Sequence, residues 1–407
     1  MTSDKNKVFR LEGKVQHYEW GGTSFLPRLL GMANPDNRHF AEYWMGAHAQ
    51  ASSQILTNDE DKVKLDEYIR RFPEQTLGPT VASRFGRLPY LFKILDVHDM
   101  LSIQVHPSKK NAELAFADEN SRGVSLTAAE RNYRDDNHKP EIMLALGEFW
   151  LLHGFKPKET MYRILQEVPE LNFLSSVFAR GGYETLYHTV MQMPQAEVNR
   201  VLDPLQQRIV PAYRNGQLSR SQADFWAARA AETFNRPGYI DRGIFSIYLF
   251  NLMQLEAGEA VFQDAGVPHA YLEGHNVELM ANSDNVLRGG LTNKHINVPE
   301  LMKHVQFRET LPHVIRAKQI APELDVFPTA APDFELGRIH LPKDKQIPIS
   351  STSAEIYFVF RGAVEVADQN KEGFHRKTGE AWISFYGAGY WISAQEEAVI
   401  YRAAVTV

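Results

Sequence analysis

Through the first 155 residues, short apolar runs alternate with turn clusters, a pattern that predicts strands. The clusters include Trp20-Gly21-Gly22 and Asn34-Pro35-Asp36. The densest stretch is Leu88 to His106, with Leu91-Phe92-Lys93-Ile94-Leu95, a polar break, and then Leu101-Ser102-Ile103-Gln104-Val105-His106. From about 156 to 243 the period becomes helical. Val198, Val201, Leu202, Leu205 and Ile209 recur at helix spacing, with Pro204 expected to kink or end that helix. Ser221-Gln222-Ala223-Asp224 reads as a capping box ahead of Phe225, Ala228 and Ala231. Strand patterns resume at Ile244-Phe245-Ser246-Ile247-Tyr248-Leu249 and run to about 290. A last β region is expected from near 335, including Ala354 to Gly362.

One internal echo organises these elements. Gly258-Glu259-Ala260-Val261-Phe262 leads to a turn at Gly266, and Gly379-Glu380-Ala381-Trp382-Ile383 leads to Gly387 after the same number of residues. His269 follows the first turn, and Tyr390 holds the equivalent place after the second. Glycine, short strand, glycine turn and histidine resemble a cupin motif, with Asp264 standing where proline is common. The expected fold is mainly β with a helical insert: two cupin-like jelly-roll barrels plus an α-helical domain. Residues 1–155 and 244–320 would form a discontinuous site-bearing domain, 156–243 the helical insert, and 321–407 a degenerate second barrel.

Composition removes several function classes. The 407 residues contain no cysteine, which excludes a disulfide scaffold, a thiolate metal site and a cysteine nucleophile. Lys and Arg total 44 against 50 Asp and Glu, a formal net charge of -6, so no basic excess advertises nucleic acid or a membrane surface. Hydrophobic residues at 43% and charged residues at 23% are an ordinary globular balance. No apolar run approaches the roughly 20 residues of a membrane span, and Met1 to Lys7 lead into no apolar leader segment. A cytoplasmic monomer is expected.

Four fragments carry candidate chemistry. On a strand, Ser102, Gln104 and His106 share one face and Leu101, Ile103 and Val105 the other. Gln104 and His106 can then reach one metal ion, although a solvent-facing polar stripe would look the same. In His138-Lys139-Pro140-Glu141, Glu141 offers an anionic oxygen and Lys139 a phosphate contact or proton-transfer group; a solvated turn before a buried strand fits equally. His269 follows the Gly266-Val267-Pro268 turn, as a ligand or as a structural turn histidine. Together Gln104, His106, Glu141 and His269 suit Zn²⁺ or a similar divalent ion. The fourth fragment, Asn276 to Thr292, offers Glu278 or Asp284 as a base and Arg288 as a charge stabiliser, or a hairpin turn with a surface ion pair.

Taken in order, Leu101 to Pro107, His138 to Glu141, Gly266 to Tyr271 and Ser283 to Thr292 closely resemble type I mannose-6-phosphate isomerases. Tyr18-Glu19-Trp20-Gly21-Gly22 and Ala41-Glu42-Tyr43-Trp44-Met45-Gly46 agree. The resemblance covers roughly residues 10 to 310. It implies an aldose–ketose isomerase acting on mannose 6-phosphate and fructose 6-phosphate through a cis-enediol, with one Zn²⁺ per chain on Gln104, His106, Glu141 and His269. It places the family's catalytic arginine at Arg288, and Lys93 and Ser102 in the pocket, where they are expected to bind phosphate. The expected base is Glu278, with Asp284 and Lys139 behind it. Asp96-Val97-His98-Asp99 and Asn293 depart from the usual family residues. Two rival readings are an Fe(II)-dependent cupin oxygenase and a non-catalytic sugar-phosphate-binding protein.

Overall fold

The protein is described by a computed structural model covering residues 7–57, 61–368, 370 and 372–406. Met1 to Asn6, on which most of the leader reading rests, lie outside the described residues. The chain is mainly β with helices, as expected.

A ten-stranded antiparallel sheet system carries the fragments singled out above. Its central element is the 13-residue strand His269–Ala281. The first part of this strand pairs with Phe149–Phe155 and meets Gln104; the second part pairs with Tyr90–Val97 and Glu141–Ala145. The change of partners follows a register shift between Tyr271 and Glu273 and falls at Gly274, whose φ is 132°. A Cβ there would lie 2.6 Å from the Phe149 ring, so only glycine lets the strands cross.

Strand alternation decides what faces the site. Phe92, Ile94, Val277 and Leu279 point into the core shared with a nine-stranded sheet, against residues such as Ile356, Phe358 and Ile383. Lys93 and Glu278, one residue out of phase, point the opposite way, with Leu91, Leu95 and Met280 as same-face neighbours. Burying each of these large apolar side chains contributes roughly 1.5–3 kcal/mol, which fixes the register and with it the direction of Lys93 and Glu278.

The nine-stranded sheet joins both ends of the chain. Val8–Glu12 pairs with Ala381–Ser384, and Gln54–Leu56 and Lys62–Lys64 extend the same sheet. It therefore crosses the boundary expected at 321. C-terminal strands begin at Lys318–Ala321, earlier than the expected 335, and a four-stranded sheet packs with them. Gly266 and Gly387, the matched turn glycines, have φ of 79° and 70°, so the echo in sequence is an echo in backbone. Tyr390 lies within the strand after Gly387 and His269 opens the strand after Gly266.

The insert is helical, with Lys158–Glu167, Phe173–Gln192, Gln195–Arg214 and Ala223–Phe234. Val198, Val201, Leu202, Leu205 and Ile209 are all buried on one helix. That helix continues through Pro204 and Pro211, because the buried face compensates for the lost backbone bonds. The capping box does not form. The last insert helix starts at Ala223, and Ser221 Oγ instead meets Ser219 Oγ. The expected strand at Ile244–Leu249 is a helix, Gly243–Leu249, buried on all sides. The first 155 residues also hold helices, of which Lys109–Ser121 is the longest. No helix among the described residues is long and apolar enough to cross a membrane.

Candidate active site

His106, Glu141 and His269 converge: one ligand atom from each lies within 4.8 Å of the others, and all three residues are buried. Glu141 stands between the rings, with Oε1 3.5 Å from His106 Nε2 and Oε2 3.5 Å from His269 Nε2. Each ring is fixed from behind. His106 Nδ1 donates to the Asn285 carbonyl at 2.8 Å and His269 Nδ1 to the Val267 carbonyl at 3.0 Å. This assigns the proton to Nδ1 and leaves Nε2 as a bare lone pair. Neither Nε2 has a hydrogen-bond partner among the described residues. Burial pushes His106 down to about 4, so its ring is neutral. Two lone pairs and a carboxylate facing one another repel unless a cation sits among them. The residues thus fit a divalent ion, with the carbonyl support typical of metal-binding histidines.

Burial pushes Glu141 up, but Lys139, with its Nζ 2.9 Å from Oε1, outweighs it and holds the carboxyl well below the usual carboxylate range. Gln104 is directly opposite His269 on one side and Arg288 on the other, so the three side chains share a face. His153 opposes His269 from the other neighbouring strand; it is buried with both ring nitrogens unpartnered, and burial pushes it down to about 4.

A second polar group lies on the inner face of the sheet. Lys93 Nζ is 3.0 Å from Glu278 Oε2 and 3.5 Å from Glu42 Oε2, and Tyr271 donates to Glu278 Oε1 at 2.8 Å. Burial works against the Lys93 charge, but Glu278 and Glu42 overcome it and raise its pKa. Glu278 is raised by burial and by Glu141 and Glu42, against Lys93 and Lys139. Lys93, expected to bind phosphate, lies between two carboxylates in this structure.

Asp284 sits at the rim, with Oδ1 3.2 Å from His48 Nε2 and Oδ2 accepting from Gln50 Nε2 at 2.9 Å. Burial raises it, but the hydrogen bond and charge of His48 win and lower its pKa. Arg288 is lowered by burial and by Arg134, and Lys294 by burial and by Arg288. None of Arg134, Arg288 and Lys294 makes an ion pair among the described residues. They form a positive pole with no ion-pair partner among the described residues. Ser102 is half-buried beside it, since Ile103 N–H donates to the Gly290 carbonyl and Gly289 N–H to the Ile103 carbonyl. Sequence reasoning missed Arg134, Lys294, His48 and His153, and Tyr271 stood inside the Gly266 to Tyr271 fragment without a role. Glu42 was visible inside Ala41 to Gly46, but nothing marked its role.

A buried His–Glu–His cluster beside an unmatched cationic pole, inside a mainly β protein, defines a metal-dependent site for an anionic substrate. Residues 8–158 match the family model for the phosphomannose isomerase type I catalytic domain. The chain is 39% identical over 360 residues to the mannose-6-phosphate isomerase of Escherichia coli, covering 87% of this chain and 88% of the relative. It is 32% identical over 389 residues to the human mannose-6-phosphate isomerase, covering 88% of each. The crystal structure of mannose 6-phosphate isomerase from Salmonella typhimurium bound to fructose 6-phosphate and zinc superposes with a TM-score of 0.88 at 33% identity, covering 99% of this chain and 100% of that one. The chain belongs to the type I phosphomannose isomerase family.

Proposed function

We propose that this protein is a zinc-dependent isomerase that interconverts mannose 6-phosphate and fructose 6-phosphate through a cis-enediol. The observation that carries the reading is the convergence of two buried, unpartnered imidazole Nε2 atoms on the Glu141 carboxylate. His106, Glu141 and His269 would hold the ion, and Gln104, on the same face as His269, would complete the set. When bound, zinc would supply positive charge beside the sugar oxygens on which negative charge develops during isomerisation.

The remaining work falls to side chains of this chain. Glu278 takes the C2 proton and returns it at C1, while the O2 hydroxyl proton passes to O1, so that the C1 carbonyl becomes a hydroxyl and C2 the carbonyl; its raised pKa brings a carboxylate closer to the range useful for a general base. Lys93 and Tyr271 orient it from either oxygen. Asp284, held low by His48, is the poorer base. Lys139 keeps Glu141 ionised. Arg288 stabilises negative charge developing at the reacting oxygens. Arg134 and Lys294, with Ser102, receive the phosphate, whose two negative charges match the cationic pole.

The named side chains come from 1–155 and 244–320; we assign no chemistry to the insert 156–243 or to 321–407. The glycine echo supports two cupin-like jelly-roll units, the second without a metal histidine. Because one chain supplies every group, a monomer suffices, and we place it in the cytoplasm. An Fe(II) oxygenase is not favoured, as its relatives in sequence are isomerases. The test is a coupled assay for fructose 6-phosphate formed from mannose 6-phosphate, on protein stripped of metal and reloaded with zinc. Activity that returns with zinc is the expected result; no isomerisation in the loaded protein would overturn the reading.

A further inference from the structure

Behind His106 lies a set of hydrogen bonds that touches neither the proposed substrate nor the proposed ion. The carbonyl that receives His106 Nδ1 belongs to Asn285, in the loop 282–285. That loop is fastened to another, residues 134–137. Four donors converge on the Asp135 carboxylate. Ser283 Oγ at 2.8 Å, Asn137 N at 2.9 Å and Asn285 Nδ2 at 3.2 Å reach Oδ1, and Asp284 N at 2.7 Å reaches Oδ2. The Asn285 amide completes the clasp. Its Nδ2 donates to the carbonyls of Asp135 at 2.8 Å and Asn137 at 2.9 Å, and its Oδ1 accepts from Arg134 N at 2.8 Å. Asn285 and Ser283 are almost fully buried, at 1% and 2% exposure, so water cannot replace these bonds.

We infer that Asp135 and Asn285 are positioning residues for the metal site, acting through the Asn285 carbonyl to hold His106 in the Nδ1–H tautomer with Nε2 aimed at Glu141. Two features argue for a specific device rather than general loop stability. An ionised carboxylate accepting four donors is far stronger than a neutral acceptor would be, and the bonds end on a backbone carbonyl whose partner is the ring nitrogen opposite the free one. Both loops come from fragments that carry other site residues, so the clasp also sets Arg134 on the cationic pole and Asp284 at the rim. The inference rests on the reading of His106 as a metal ligand.

The test is the zinc dissociation constant of metal-free protein, measured by competition with a chromophoric chelator. Asp135→Asn turns half of the four-donor acceptor into a donor and is expected to weaken zinc by about 10- to 100-fold, the usual effect of disturbing the outer partners of a ligand. Ser283→Ala removes one of the four donors, disturbs folding less and should weaken zinc in the same direction by a smaller factor. Leu202→Ala, a cavity in the remote helical insert, lowers the melting temperature without reaching the clasp and should leave zinc affinity unchanged. In cobalt-loaded protein, the visible absorption of Asp135→Asn should change while that of Leu202→Ala does not. Equal zinc affinity in Asp135→Asn, Ser283→Ala and unaltered protein would overturn the inference and leave the functional reading standing. Failure of the unaltered protein to take up zinc would overturn both.

Discussion

Gln104 and His269 lie directly opposite each other on neighbouring strands, although 165 positions separate them in sequence. The other neighbour of Gln104 is Arg288. One short strand, Gln104–Val105, therefore places a proposed metal ligand between a second ligand and the proposed charge stabiliser, and the ladder alone sets their spacing.

The first prediction concerns metal. His269→Ala and Gln104→Ala should lose zinc occupancy and isomerase activity together, His269→Ala more completely because it removes one of two buried imidazoles. Metal content by elemental analysis, set beside turnover, checks this. Full activity in demonstrably metal-free protein would end the metal reading.

The cationic pole allows its members to be separated. Arg288→Ala should lower kcat by about 10²- to 10³-fold with a smaller change in KM, as expected when a charge acting on the transition state is lost. Lys294→Met should instead raise KM for mannose 6-phosphate and have little effect on any residual turnover of unphosphorylated mannose. An equal loss on both substrates would remove Lys294 from the phosphate site.

Much of this was legible in the sequence, for a physical reason. Val198 to Ile209 buries one periodic face, so its pattern survives folding, whereas Leu91 to Leu95, buried on both faces, was legible as a short apolar run ended by a polar break. The ligand fragments were readable because each sits at a strand or turn whose spacing is short. Gly243–Leu249 was not: buried on every side, it has no period to distinguish helix from strand. The pairing of Val8–Glu12 with Ala381–Ser384 joins opposite ends of the chain, and nothing local encodes it. The sequence could not show Glu42 and Glu278 arriving from two other strands to meet Lys93. Arg134 and Lys294 were missed because an unpaired cation is defined by what fails to come near it.

The Lys93–Glu278 pair predicts a stability effect. Lys93→Met leaves a buried carboxylate without its cation and should cost about 3–5 kcal/mol. Adding Glu278→Gln should recover a large part of that stability, while activity stays lost if Glu278 is the base. Denaturant unfolding of the two single variants and the double variant measures the coupling. Simple additivity would show that the two groups do not act as a pair.

Lys156 predicts a pH dependence away from the site. Burial pushes its ammonium down to about 8, helped by Arg163, and its Nζ donates to the Phe250 carbonyl. Between pH 8 and the unfolded value of 10.5, the unfolded chain holds the proton more often, so stability rises with pH in that window. Below it the penalty is complete, about 3–4 kcal/mol. The stability advantage of Lys156→Met over the unaltered protein should therefore be largest near neutrality and shrink as the solution becomes alkaline. Urea unfolding across this range checks it; a constant difference would contradict it.

The crossing at Gly274 has a mechanical consequence. His269 and Glu278 ride on one unbroken strand on either side of it, so the span between the proposed ligand and the proposed base is a length of covalent chain held by paired strands along its whole run. No domain has to close to bring them together. The distance between these two groups is therefore set when the strand forms, before any substrate arrives.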